Sequence, residues 1–374
     1  MKKVLILVSE FGIGGTMSSL YSLLSVIDPS CIKVDIFSRK HIGPYFKKMP
    51  NCTILKENIW LSHTIYERSF AIKVMTKILL GIRKILEPIG IDLYKVYNYI
   101  GGKQIHSESY DAVIGFDESM ARLVSYFPAK KKINWIHCDY RRFSKGKDES
   151  KYYDKIDAVV CVSQFVKGIF AEIYPQYSHK VYAIHNVINV EEIQQKAKEA
   201  IDDSRFDMSS YTIVSCGRLD PVKQFSLIPQ IAAQLRQKGA NPFKWYIIGG
   251  GNNNEQKTIE KAIVRERVQD CVLTLGMKEN VYPYLANADL YVCTSKSESF
   301  PMVINESIAL GIPVISNNFP SASESIKDGV NGVVCMMDEI PDYIYRQMVS
   351  PSKVVEMRTN ENDRILNDIN LLLN

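Results

Sequence analysis

Twelve short runs of apolar and β-branched residues recur along the chain, and longer stretches of helical period lie between most of them. This alternation leaves few folds open. The first half holds Val4–Val8, Val34–Phe37, Ala112–Gly115, Ile133–Ile136, Ala158–Val162 and Val181–Ile184. The second holds Thr212–Cys216, Trp245–Ile248, Val272–Leu275, Leu290–Cys293, Val314–Ser316 and Gly332–Cys335. Segments such as Met17–Val26, Phe225–Gln237, Gln256–Glu266 and Met302–Leu310 have helical spacing. Parallel neighbours in a sheet need a crossover of a dozen or more residues, usually a helix, so the pattern predicts an α/β protein with parallel sheets covered on both faces.

At about 150 residues per domain, 374 residues make two domains. The pattern breaks in a polar, charged stretch around Glu191–Glu199, and a fresh strand starts at Tyr211. We therefore expect a Rossmann-like domain over 1–186, a linker over 187–209, a second Rossmann-like domain over 210–355, and a C-terminal helix over 356–374 that can cross back to the first. Two doubly wound domains place a ligand cleft at the carboxyl ends of their strands.

Composition excludes several classes. A hydrophobic content of 46% rules out a disordered chain. Apolar runs such as Val4–Val8 fall far short of the ~20 residues a membrane span needs. The opening Met1–Glu10 imitates a secretory signal, but its apolar run is short and an acid follows, so it reads as a first core strand. The eight cysteines lie far apart with no CxxC pair, which is the usage of reduced thiols in a cytoplasmic protein and argues against zinc and disulfides. Charge is divided: residues 1–180 carry 27 Lys/Arg against 17 Asp/Glu, and residues 181–374 carry 19 against 24. A basic half of this kind admits a nucleic acid, a membrane surface or a phosphorylated substrate.

Four segments carry candidate chemistry. After the first strand, Phe11-Gly12-Ile13-Gly14-Gly15-Thr16 leads into a helix, where glycines allow close backbone approach and free N–H groups favour an anion. Met17 stands where a dinucleotide fingerprint needs glycine, which disfavours a NAD dehydrogenase. A purely structural turn explains the glycines equally well. In the second domain, Gly217-Arg218-Leu219-Asp220-Pro221-Val222-Lys223 offers two cations at a strand's carboxyl end. Ser295–Glu306 puts Glu298 in a loop, Pro301 in a first helical turn and Glu306 further along that helix. Carboxylates there can accept hydrogen bonds from sugar hydroxyls, and the helix start can hold a diphosphate. His137 ends the strand Asn134-Trp135-Ile136; a packed histidine is its plain reading, and its topological place argues for the site. The chain has no Asp-x-Asp pair of the kind that bridges a metal to a diphosphate, so no metal or other cofactor is expected.

Taken together these segments resemble the retaining glycosyltransferases of family 4, which have the GT-B fold of two facing Rossmann-like domains. The likeness runs through Gly14-Gly15, His137, Asp157–Ser163, Asn186, Gly217-Arg218-Leu219 with Lys223, Ala288-Asp289-Leu290, the E-x7-E element from Glu298 to Glu306, and Ala309–Ile315. It implies that Arg218 and Lys223 bind a donor diphosphate and Glu306 the ribose. Glu298 would contact the donor sugar, helped by backbone N–H groups near Ser299, Phe300 and Pro301, and His137 would lie beside the reacting sugar as the second catalytic residue. The implied partners are a nucleotide sugar, with UDP favoured, and a glycan or lipid-linked acceptor, with no nucleic acid. Ser299 replaces the commoner glycine, Thr16-Met17 replaces Ala-Glu, and Pro320–Glu324 lacks the usual glycine.

The function this implies is metal-independent, retaining transfer of a hexose or N-acetylhexosamine in capsule, polysaccharide or lipopolysaccharide synthesis. The rivals are a UDP-sugar 2-epimerase of the same fold and a non-catalytic partner subunit. The run Ala71–Leu86 has apolar residues at helical spacing with Lys73, Lys77, Arg83 and Lys84 among them, and with Lys130–Lys132 and Arg141–Lys147 it forms basic clusters. We expect these either to seat the first domain on an anionic membrane or to be merely solvated around a helix packed on the core.

Overall fold

The computed structural model describes residues 1–58, 60, 61, 70–86, 89, 93–351 and 360–374. The chain divides into two compact units, Met1–Val187 with Asp363–Asn374, and Ile188–Asn362.

The first unit is a seven-stranded parallel sheet of β1 (Lys2–Glu10), β2 (Ile32–Lys40), β3 (Cys52–Ile54), β4 (Ala112–Gly115), β5 (Lys132–Ile136), β6 (Ala158–Cys161) and β7 (Val181–Ala183), in the order β3-β2-β1-β4-β5-β6-β7. The second is a six-stranded parallel sheet of β8 (Tyr211–Cys216), β9 (Phe243–Ile248), β10 (Val272–Gly276), β11 (Leu290–Cys293), β12 (Val314–Asn317) and β13 (Gly332–Cys335), in the order β10-β9-β8-β11-β12-β13. Every strand expected from the apolar runs is present. The edge strand β3 is added; its three residues are at most half buried, so they carry no apolar run to read.

Period-2 alternation decides which side chains meet. Ile213, Trp245, Ile247 and Val292 pack on one face of the second sheet, and Val214, Tyr246, Ile248 and Tyr291 on the other. Both faces are therefore apolar, as a parallel sheet covered on both sides requires. An aspartate just ahead of three strands clips the neighbouring strand: Asp111 accepts from the Lys3 N–H at 2.8 Å, Asp157 from Lys132 at 2.7 Å and Asp289 from Thr212 at 2.7 Å. The family-like Asp157 and Asp289 thus set register, and they do no chemistry at the carboxyl ends.

Residues 187–209 differ from the linker expected of them. Within 188–209 the helix Val190–Lys196 buries Ile193 against Met302 and Ala309. Arg205 then reaches the Thr274 and Leu275 carbonyls at 3.2 and 3.1 Å, and Lys278 pairs with Asp203 at 2.9 Å. A polar sequence here reflects a surface segment tied down by ion pairs. At the other end, the helix Asn360–Leu373 buries Ile365, Ile369, Leu372 and Leu373, and its residues from Asp363 on belong to the first unit.

In each sheet the order reverses between two central strands, β1 and β4 in one and β8 and β11 in the other. Crossovers leave in opposite directions there, which opens a crevice at the carboxyl ends.

Candidate functional site

The second unit's reversal point holds the Gly217–Lys223 loop after β8 and the Thr294–Pro301 loop after β11. Close backbone packing builds its floor: a Cβ on Gly249, just past β9, would lie 1.8 Å from the Gly217 carbonyl oxygen, so that position must be glycine. Asp220 accepts from the Val222 N–H at 3.0 Å and holds the turn that presents Lys223. Thr294 Oγ1 donates to the Lys223 carbonyl at 2.7 Å, and the Lys296 N–H to that of Val222 at 2.8 Å, locking the two loops together.

At their junction Lys223 Nζ meets Glu298 Oε1 at 2.6 Å, with the two side chains 19% and 15% exposed. Ser295 Oγ donates to the same carboxylate oxygen at 2.6 Å, and Ser321 Oγ to the Glu298 backbone carbonyl at 2.7 Å. Burial is the largest single influence on Lys223 and acts against its charge, but the charge and hydrogen bond of Glu298, with Cys293 and Cys216 adding to them, together hold the ammonium above its ordinary range. The cation is thus kept charged where water is scarce. Arg218, in the same loop, is exposed.

Ser299, Phe300 and Pro301 lead into the helix Met302–Ala309, whose first-turn N–H groups have no intrahelical acceptor apart from local ones near Pro301. One turn in, Glu306 is 6% exposed, and the Tyr282 hydroxyl donates to its Oε1 at 3.3 Å. Burial raises its titration to about 7, with the Tyr282 hydrogen bond and the more distant charge of Lys196 acting against the shift. Sequence reasoning missed Tyr282, Ser295 and Ser321; the first lies 24 residues from its partner, with no local signal linking them.

In the first unit, Gly14 caps the helix α1 (Gly15–Val26) without a side chain to satisfy the first-turn N–H groups, and no acid occupies that turn. The site is suited to an anion. On α1, Ser19 Oγ donates to buried Asn186 Oδ1 at 2.7 Å, which accounts for the asparagine structurally. His137 follows β5; its backbone N–H donates to Glu118 Oε2 at 3.2 Å and its ring lies 4.9 Å from that of Phe116. Burial pushes its titration down to about 3, so at neutral pH it is an uncharged hydrogen-bonding group whose Nε2 is buried without a partner. Glu118 went unnoticed in the sequence.

The basic clusters resolve differently from one another. Lys130 pairs with Asp111 at 3.0 Å, Lys132 donates to the Ser125 carbonyl at 3.0 Å, and Arg141 pairs with Asp139 at 3.0 Å. The helix α2 (Phe70–Leu86) instead leaves Val74, Ile78, Ile82 and Ile85 exposed at 40–72%, with Lys77 and Lys84 also exposed. The side chains of Lys73 and Arg83 lie outside the described residues. No described helix is long and apolar enough to cross a membrane.

Residues 196–344 match the family described as glycosyl transferases group 1. An N-acetylgalactosaminyltransferase of Campylobacter jejuni acting on a diphospho-undecaprenol-linked sugar is 29% identical over 194 residues, half of this chain and 49% of that protein. A lipopolysaccharide core biosynthesis glycosyltransferase of Rhizobium meliloti, LpsE, is 23% identical over 49% of this chain and 50% of its own. The chain spans about half the length of the curated relatives it matches. Among solved structures, Anabaena Alr3699/HepE in complex with UDP has a TM-score of 0.66 at 15% identity, covering 99% of this chain and all of that one. TarM has a TM-score of 0.70 at 14% identity, covering 100% and 99%. At such identities the likeness speaks for the fold. The protein therefore has the GT-B fold, and residues 196–344 of its second unit are similar to the group 1 glycosyl transferases.

Proposed function

We propose that the protein is a retaining glycosyltransferase that moves a hexose or N-acetylhexosamine from a UDP-sugar to a hydroxyl of a glycan or lipid-linked acceptor in polysaccharide or lipopolysaccharide synthesis. The observation that carries this is the part-buried Lys223–Glu298 pair at the reversal point, with Glu306 buried on the helix that follows. In this reading Lys223 and Arg218 neutralise the donor diphosphate, Glu306 accepts from the ribose hydroxyls, and Glu298 accepts from the donor sugar once Lys223 turns part of its charge to phosphate. N–H groups around Ser299, Phe300 and Pro301 support the diphosphate, and the Gly14-Gly15 helix start receives a further anionic group.

The step we assign is front-face displacement. The bond between the anomeric carbon and the diphosphate oxygen breaks, the acceptor oxygen bonds to that carbon on the same face, and the acceptor proton passes to the departing oxygen. His137, neutral at pH 7, serves as a hydrogen-bond partner of the reacting sugar. Charge on the leaving group is met by cations and helix N–H groups, and no metal enters the scheme. The exposed stripe of α2 with Lys77 and Lys84 supports peripheral attachment to an anionic membrane, which would bring a lipid-linked acceptor to the enzyme.

The test is release of UDP from candidate UDP-sugars with and without acceptor. Acceptor-dependent release with an α-configured product from an α-configured donor is expected. Conversion of the donor without acceptor would replace the transferase by the epimerase, and binding without turnover would leave a silent partner.

A further inference from the structure

Glu306 owes its setting to segments far from it in sequence. Tyr282, at the start of the helix Tyr282–Ala286, packs with Phe300 and Leu310 against Ile193, Met302 and Ala309, so it sits between the helix Val190–Lys196 and the helix that carries Glu306. Its backbone N–H donates to Asn280 Oδ1 at 3.0 Å, and Asn280 Nδ2 donates in turn to the Lys196 carbonyl and to Glu199 Oε2, both at 2.9 Å. Tyr282 is thus fixed by its backbone and by its ring, and its hydroxyl donates to Glu306 Oε1 at 3.3 Å. Among the described residues no other side chain hydrogen-bonds this carboxyl.

Three titratable groups face Glu306 from the elements packed around it: Tyr282, Lys196, and Cys216 at the end of β8. Lys196 is already paired with Glu192 at 2.6 Å. Cys216 is pushed up to about 12, by burial first and by the charge of Glu306 second, so it is an uncharged thiol at neutral pH. The tyrosine hydroxyl is therefore the group that bears most directly on the carboxyl. An ionised carboxylate only accepts, and each oxygen has two acceptor sites, so Oε1 can take Tyr282 and one ribose hydroxyl while Oε2 takes the other. A protonated carboxyl turns one of those oxygens into a donor.

We propose that Tyr282 is a positioning residue of the transfer reaction, its hydroxyl aiming the Glu306 carboxyl and favouring the acceptor-only form that a nucleotide ribose requires. This rests on the assignment of Glu306 to the ribose. It also gives the segment 190–199 a part in donor binding, because that segment holds Asn280 and, through it, Tyr282.

Tyr282→Phe keeps the ring and its packing and removes the hydroxyl. The first measurement is the melting temperature of the ligand-free full chain against pH. A hydrogen bond to the charged form favours that form, so without it Glu306 should titrate above its present value of about 7. Wild type then stops losing stability near pH 7, while the variant, keeping its proton longer, goes on losing it; the gap between them should widen from about pH 6 to about pH 8.5. In a Glu306→Gln background the same substitution should leave a gap that does not vary with pH. The second measurement is UDP affinity by calorimetry. The variant should bind roughly tenfold more weakly than wild type at about pH 6, the loss of one charged hydrogen bond, and should come within about twofold of it at about pH 8.5. A tyrosine needed only for packing would lower both quantities equally at every pH. A melting gap that is flat with pH, or one that widens equally in the Glu306→Gln background, would overturn the role of Tyr282 alone. A gap that widens while the affinity ratio stays flat would instead sink the ribose assignment, and the proposed role with it.

Discussion

Replacing Glu306 by glutamine tests both the geometry and the role assigned to it. The carboxyl is 6% exposed and titrates near 7, against 4.5 ordinarily. At about 1.4 kcal/mol per pKa unit, holding it ionised in the folded chain costs about 3 kcal/mol more than in the unfolded one. The sign follows from proton binding: between pH 4.5 and 7 the folded chain keeps a proton that the unfolded chain has released, so stability falls as pH rises through this window. Glutamine is neutral throughout. Glu306→Gln should therefore gain on wild type by about 3 kcal/mol between pH 4.5 and pH 8, several degrees in melting temperature for a domain of this size. Other titrating groups cancel in the comparison. Ligand binding should move the opposite way, because only the carboxylate accepts from both ribose hydroxyls. The ratio of wild-type to variant UDP affinity, in which titration of the phosphate also cancels, should rise roughly tenfold from pH 6 to 8. Melting differences equal at pH 5 and pH 8 would refute the raised titration, and a flat affinity ratio would refute the ribose role.

Arg218→Ala and Lys223→Ala should each lower turnover roughly ten- to hundredfold. Only Lys223→Ala should also lower the melting temperature, since it strands Glu298 in a poorly solvated site. Glu298→Ala should reduce transfer while UDP binding measured by calorimetry survives; loss of UDP binding would mean that the two glutamates have exchanged roles. Turnover should persist in excess EDTA, and loss restored by magnesium or manganese would contradict the metal-free scheme. In liposome sedimentation the chain should bind anionic vesicles, less so as salt rises, and Ile78→Asp with Ile82→Asp should abolish binding; equal, negligible binding to neutral and anionic vesicles would sink the membrane claim.

The strand-helix alternation is legible in the sequence because it is local. Twelve apolar runs become twelve strands, since a strand buried on both faces can contain little else. The loops of the candidate site were legible as loops for the same reason: Gly217–Lys223 and Ser295–Pro301 each follow a readable strand, and the carboxyl end is where a parallel sheet ordinarily binds ligand. β3 was not legible, having three residues and no buried face, and neither was the anchoring of 188–209, whose ion pairs reach to Thr274 and Lys278. The direct pairing of Lys223 with Glu298 spans 75 positions, and the hold of Tyr282 on Glu306 crosses between two helices. Propensity and periodicity act over a few residues, whereas desolvation and pairing of charge depend on what the fold brings alongside; the local pattern therefore determines the elements, and only tertiary packing decides which acid is raised and which lysine stays charged.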